Sequence, residues 1–220
     1  MRLVVALAGI VAGLVGLTLD WVSIFPSVIV VSETNPVARS FPDAFIYFWT
    51  YFTHLTNLWL LLSYAAVLTG WRWISGFGRP IMLVSAATFI TLVMLYYHFM
   101  LHPYYTFEGN LLVATYLLHY VAPIIYLAWW LLFAPHGTLR YGQIPLILLP
   151  GVIYVAWALL RGAVVHEYPY DILDAGKFGY GVVAIGVAVL LAAVAIFALV
   201  FVTADKWLGR RAATRLASNA

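Results

Sequence analysis

Six long apolar stretches constrain this chain more than any other feature of its sequence. They run over Leu3–Phe25, Ala44–Leu68, Pro80–Leu101, Asn110–Phe133, Pro145–Leu160 and Phe178–Thr203. A hydrocarbon core about 30 Å thick takes ~20 apolar residues per helical crossing. With 65% of its residues hydrophobic and 9% charged, the chain is too apolar for a soluble domain of its size. In hydrocarbon every backbone N–H and C=O must be paired within a helix or a closed barrel. Barrel strands would be about ten residues long and would alternate; these runs are longer and do not alternate. The sequence therefore specifies an all-α, polytopic membrane bundle of six helices, read as a single domain over 1–220. The fifth run is the shortest, opens at Pro145 and contains Pro150, so a kink is expected there.

Lys and Arg near the span ends set the orientation. Arg2, the Arg72 and Arg79 connection, Arg140 and the tail with Lys206, Arg210, Arg211 and Arg215 fall on one side. The connections with Glu33, Arg39 and Asp43, with Glu108, and with Glu167, Asp171, Asp174 and Lys177 fall on the other, with Arg161 at a helix edge. That alternation places both termini in the cytoplasm of a multi-pass cell-membrane protein. The net charge of +3 then reflects topology, with no nucleic-acid surface behind it. The first span is too long for a signal-peptide core and lacks a small-x-small cleavage site after it. Its Gly9, Gly13 and Gly16 predict close helix contact. The chain has no Cys, which excludes disulfides, thiolate nucleophiles and iron–sulfur ligation.

With almost no chain outside the spans, function has to reside between helices or at their mouths. In the second span Thr50, Thr53, His54 and Asn57 lie within an arc of about 100° on a helix. Thr88, Thr91 and His98 share a face of the third span, Thr115, His119 and Tyr126 of the fourth, and Tyr154, Trp157 and Arg161 of the fifth. Four polar stripes are what a bundle around a polar pocket needs. Thr53 and His119 each sit nine residues inside the outer end of their span. On continuous helices that is about 14 Å deep, near the midplane, with the pocket opening to the outer leaflet.

Most intramembrane threonines bond their own i−3 or i−4 carbonyl, which is the expectation for Thr50, Thr56, Thr88, Thr91 and Thr115. A histidine in mid-span is costly without a partner and marks function by default, which singles out His119. His54 reads equally as a hydrogen-bonder to a neighbouring helix, and Arg161 as a snorkelling cation. A neutral His beside a hydroxyl is the smallest activated nucleophile. Thr53 supplies the hydroxyl, His119 the base, and the Asn57 amide, one turn on, an oxyanion donor. The substrate has to be as apolar as its surroundings, which points to a lipid ester, with Arg161 to clamp a carboxylate near the surface and His98, Tyr154 and Trp157 lining the pocket.

The run Tyr51-Phe52-Thr53-His54-Leu55-Thr56-Asn57-Leu58, followed by Leu117-Leu118-His119-Tyr120-Val121-Ala122-Pro123, resembles the androgen-induced membrane-protein family and its bacterial relatives. Tyr154 to Arg161-Gly162 and the Tyr168–Asp174 loop extend the similarity over all six spans. Animal members of that family resemble threonine hydrolases of fatty acid esters of hydroxy fatty acids, with a Thr of the second helix and a His of the fourth. The resemblance implies His119 as base and Thr53 as nucleophile. Thr56 stands in reserve, because the family spaces its Thr three residues before an Asn, whereas Thr53 precedes Asn57 by four. It implies membrane lipid and a lipid-like ester as the partners; no cofactor is expected, and no metal either, because the histidines lack close carboxylate partners at ligand spacing.

Two other classes stay open on sequence. Histidines on facing spans can ligate haem axially, and His54, His98 and His119 offer pairs. A small-molecule transporter or lipid-binding protein is the other, although intramembrane charges are few and paired broken helices are not evident.

Overall fold

A computed structural model describes residues 1–32 and 38–218. Glu33 and Pro36 lie outside the described residues, as does the Arg215 side chain. Helix is the only regular secondary structure among the described residues, and six helices are long and apolar enough to cross a membrane: Arg2–Ile29, Phe52–Thr69, Pro80–Leu101, Gly109–Phe133, Tyr141–Val165 and Ala175–Thr214. The chain divides into two compact units. One comprises Met1–Phe77 and Val93–Leu132, the other Gly78–Leu92 and Phe133–Ala220.

The first unit is organised by α1 (Arg2–Ile29), whose buried face is a line of small residues. Gly9 lies against the Tyr64 ring, Gly13 against Leu61, and Gly16 against Leu117 and Leu118. A methyl group on Gly16 would stand 2.8 Å from Leu118 Cδ2. Small residues let helices approach where lipid offers no hydrophobic drive of its own. Leu17, Phe48 and Leu118 form a core cluster at this crossing, flanked by Trp21, Trp49 and Leu61.

The second apolar run is two helices, not the single span its composition suggests. Ser40 caps α2 (Phe41–Thr50), its Oγ accepting from the Asp43 N–H at 3.3 Å. At Tyr51 the backbone turns extended (φ −76°, ψ 129°), and α3 (Phe52–Thr69) begins afresh. α3 ends at Gly70, whose left-handed φ of 63° suits a residue without a Cβ. The third span, α4 (Pro80–Tyr96), finishes in a π turn over Tyr97–Leu101. The fourth is α5 (Gly109–Tyr116), a π turn over Leu117–Val121, and α6 (Ala122–Phe133).

In the second unit α7 (Ile144–Val165) runs through Pro150 and extends past the expected end at Leu160. Gly151 makes room for the Phe89 ring one residue beyond the proline. α8 (Ala175–Ser218) bends at Gly179, where φ of 76° interrupts the helix. Asp205 of α8 is fully buried and accepts the Leu139 N–H at 3.0 Å, holding the connection that precedes α7.

Candidate active site

Four of the threonines in the apolar runs use their hydroxyls locally. Thr50, Thr56, Thr88 and Thr91 donate to the carbonyls of Ile46, Phe52, Val84 and Ala87, four residues back, at 2.7–2.8 Å. Thr53 differs because of the break at Tyr51. It is the second residue of α3, and Trp49, four residues before it, belongs to α2. Its Oγ1 lies 3.3 Å from His119 Nε2. The expected depth of nine residues along one continuous helix is thus replaced by a place at a helix start.

His119 is held from the other side. Its Nδ1 is 2.9 Å from the Thr115 carbonyl, which can only accept, so Nδ1 carries the proton. Nε2 is then the lone-pair nitrogen, and the Thr53 hydroxyl donates to it. The ring stacks on Tyr97 at 4.1 Å between centroids. Thr53 is 8% exposed and the imidazole half-buried, so the pair is largely withdrawn from its surroundings.

The π turn that carries His119 explains Asn57. The Ala122 N–H bonds the Leu117 carbonyl, one residue further back than in an α-helix. Pro123 has no N–H to offer. The Leu118 carbonyl therefore loses its helical donor, and Asn57 Nδ2 supplies one at 3.1 Å from α3. The second amide proton goes to the Thr53 carbonyl at 2.9 Å. Both protons are committed, which removes the oxyanion role expected from the sequence. Asn57 instead ties the turn bearing His119 to the helix bearing Thr53. Thr53 itself sits in the first turn of α3, where the His54 and Leu55 N–H groups bond the Tyr51 carbonyl at 3.1 and 3.3 Å.

Thr53, Asn57 and His119 thus converge within the first unit. His98 belongs to the same unit but is exposed, and its Nδ1 bonds the Tyr120 hydroxyl at 3.0 Å. Thr56, the reserve nucleophile, is spent on its own helix. Arg161, Tyr154 and Trp157 belong to the second unit. There the Arg161 guanidinium grips Glu167, with Nη2 to Oε2 at 2.9 Å and Nη1 to the backbone carbonyl at 3.2 Å. An internal carboxylate occupies the fork that sequence reasoning reserved for a substrate. Tyr154 and Trp157 rings lie 6.3 Å apart.

His54 bonds a neighbouring helix, one of the two readings its sequence allowed, and its partner is Asp20. His54 Nε2 meets Asp20 Oδ2 of α1 at 2.5 Å, and both side chains are buried. The available signal was Asp20, the one acidic residue of the first span, which in lipid demands a partner. Both ring nitrogens of His54 are engaged, Nδ1 by the Phe48 carbonyl and Nε2 by Asp20.

Comparison with family models, with curated proteins and with solved structures finds no match to this chain.

Proposed function

We propose that the chain is an intramembrane lipid-ester hydrolase in which Thr53 is the nucleophile and His119 the general base. The observation that carries the reading is a pair of contacts, His119 Nδ1 at 2.9 Å from the Thr115 carbonyl and Nε2 at 3.3 Å from Thr53 Oγ1; a carbonyl only accepts, so the neutral ring turns its Nε2 lone pair to the Thr53 hydroxyl. The reaction follows from that geometry. Nε2 takes the Thr53 proton as Oγ1 attacks the ester carbonyl, and negative charge develops on the carbonyl oxygen near the start of α3. The imidazolium returns the proton to the leaving alcohol, giving an acyl-Thr53 ester. Water then deacylates it, with Nε2 again accepting the proton.

The membrane-spanning helices around the dyad favour an apolar substrate, a long-chain ester that partitions into the bilayer. The resemblance to the androgen-induced membrane-protein family supports fatty-acid esters of hydroxylated lipids as the class to try first. The charge alternation supports both termini in the cytoplasm, with the pocket open to the outer leaflet.

The test is turnover of a panel of branched and unbranched long-chain esters by purified protein in lipid nanodiscs. Wild type hydrolyses at least one class, while Thr53→Ala and His119→Ala each lose turnover by several orders of magnitude, since groups acting as one unit are not additive. Equal activity in the wild type and Thr53→Ala proteins would sink the reading.

A further inference from the structure

His54 follows Thr53 directly, yet takes no part in the dyad. Its Nδ1 lies 2.5 Å from the Phe48 carbonyl, an acceptor only, so Nδ1 carries a proton. A second proton is shared between Nε2 and Asp20 Oδ2, also 2.5 Å apart. The ring has no nitrogen left for acid–base work on a substrate. A buried acid–imidazole pair in a membrane span is expensive to maintain and tends to be tied to function.

Its position shows what it holds. Phe48 belongs to the last turn of α2, where carbonyls lose their helical donors because the chain leaves the helix at Tyr51. The Tyr51 N–H reaches the Phe48 carbonyl at only 3.4 Å. His54 crosses this break from the first turn of α3, bonding that carbonyl and stacking on the Phe48 ring with centroids 3.9 Å apart and planes within 12°. Asp20 anchors the arrangement to α1. The same helix, one turn earlier, carries Gly16 against Leu117 and Leu118, the residues that precede His119. α1 is therefore the common frame for both halves of the dyad.

We propose that the Asp20–His54 pair is a positioning device for the nucleophile: it pins the break in the second span so that the Thr53 hydroxyl meets His119. Asp20 and His54 act through Thr53 and touch no reacting atom. The proposal rests on the reading of Thr53 as nucleophile, but its central test does not need turnover.

The test follows the His119 ring nitrogens by NMR in protein carrying 15N-histidine in lipid bilayers. Thr53→Ala removes the hydroxyl donor and shifts the His119 Nε2 resonance. Asp20→Asn is expected to reproduce that shift with helix content and thermal midpoint retained, and the double variant to add nothing further. Asp20→Glu, which keeps the carboxylate, returns the resonance part of the way. If Asp20→Asn does not fold, His54→Gln is read against the same two outcomes. A folded variant whose His119 resonance stays at the wild-type position overturns the proposal. With a turned-over ester, kcat falls roughly 100-fold, the cost of displacing a reacting group by about 1 Å, and KM stays within about twofold. Absent turnover in wild type with the resonance shift intact would refute the hydrolase reading and leave the positioning role standing.

Discussion

Asn57 of α3 donates to the Leu118 carbonyl at 3.1 Å, at the point where a π turn and Pro123 together deprive that carbonyl of a helical partner. Asn57 is fully buried. This single bond couples the register of the His119 turn to the helix that starts at Thr53.

Replacing Asn57 by Leu should therefore destabilise the protein by about 1–3 kcal/mol, the cost of leaving a buried acceptor unpaired. Thermal unfolding in detergent, compared with wild type, reads it. Asn57→Asp cannot donate to either carbonyl when ionised and should be at least as damaging. A variant as stable as wild type would show that the bond does not hold the turn.

Gly16→Ala places a methyl group 2.8 Å from Leu118 Cδ2 and 3.1 Å from Leu117 Cβ. Overpacking of that kind costs about 1–3 kcal/mol. Combined with Leu118→Ala, which opens the space, the two changes should be less damaging than their sum, a coupling that a double-mutant cycle measures directly. Strict additivity would mean that α1 does not press on the His119 turn.

The spans were legible because length and apolarity alone decide which segments can cross lipid, and the third was bounded at Pro80–Leu101 by sequence and structure alike. Thr53, His119 and Asn57 were legible as polar residues on helical stripes. The break at Tyr51 was not, since no Pro or Gly marks it; it is secured by Asp20, 34 residues from His54 in sequence, and periodicity carries no information at that range. The π turn at Leu117–Val121 was hidden for a similar reason. Pro123 signals a missing donor, but only the packing of α3 reveals that Asn57 replaces it. Arg161 read as a free cation because Glu167 returns to it through the left-handed His166 (φ 56°), a conformation uncommon outside glycine.

Thr56→Ala should leave turnover near the wild-type rate, because the Thr56 hydroxyl is committed to the Phe52 carbonyl at 2.7 Å. Kinetics on the preferred ester beside Thr53→Ala decide it. Loss of activity in Thr56→Ala with Thr53→Ala unimpaired would transfer the nucleophile to Thr56.

The topology is open to single-cysteine labelling, since the chain has no cysteine of its own. Gly76 and Gly142 have open space at the Cβ position and tolerate the change, unlike Gly137, whose φ is 89° and whose Cα faces Gly209. Positions 76 and 142 are expected to react only after the membrane is permeabilised, and Glu108→Cys in intact cells. Labelling of position 76 from outside would reverse the orientation.

The most direct measurement is the site of covalent capture. Wild-type protein in nanodiscs is treated with a lipid-tailed fluorophosphonate, digested, and the adduct located by mass spectrometry. A single modified peptide carrying the mass on Thr53 is expected, absent in Thr53→Ala and strongly reduced in His119→Ala, which loses the base that activates the hydroxyl. An adduct on another residue, undiminished in both variants, would contradict the assignment of Thr53 as nucleophile.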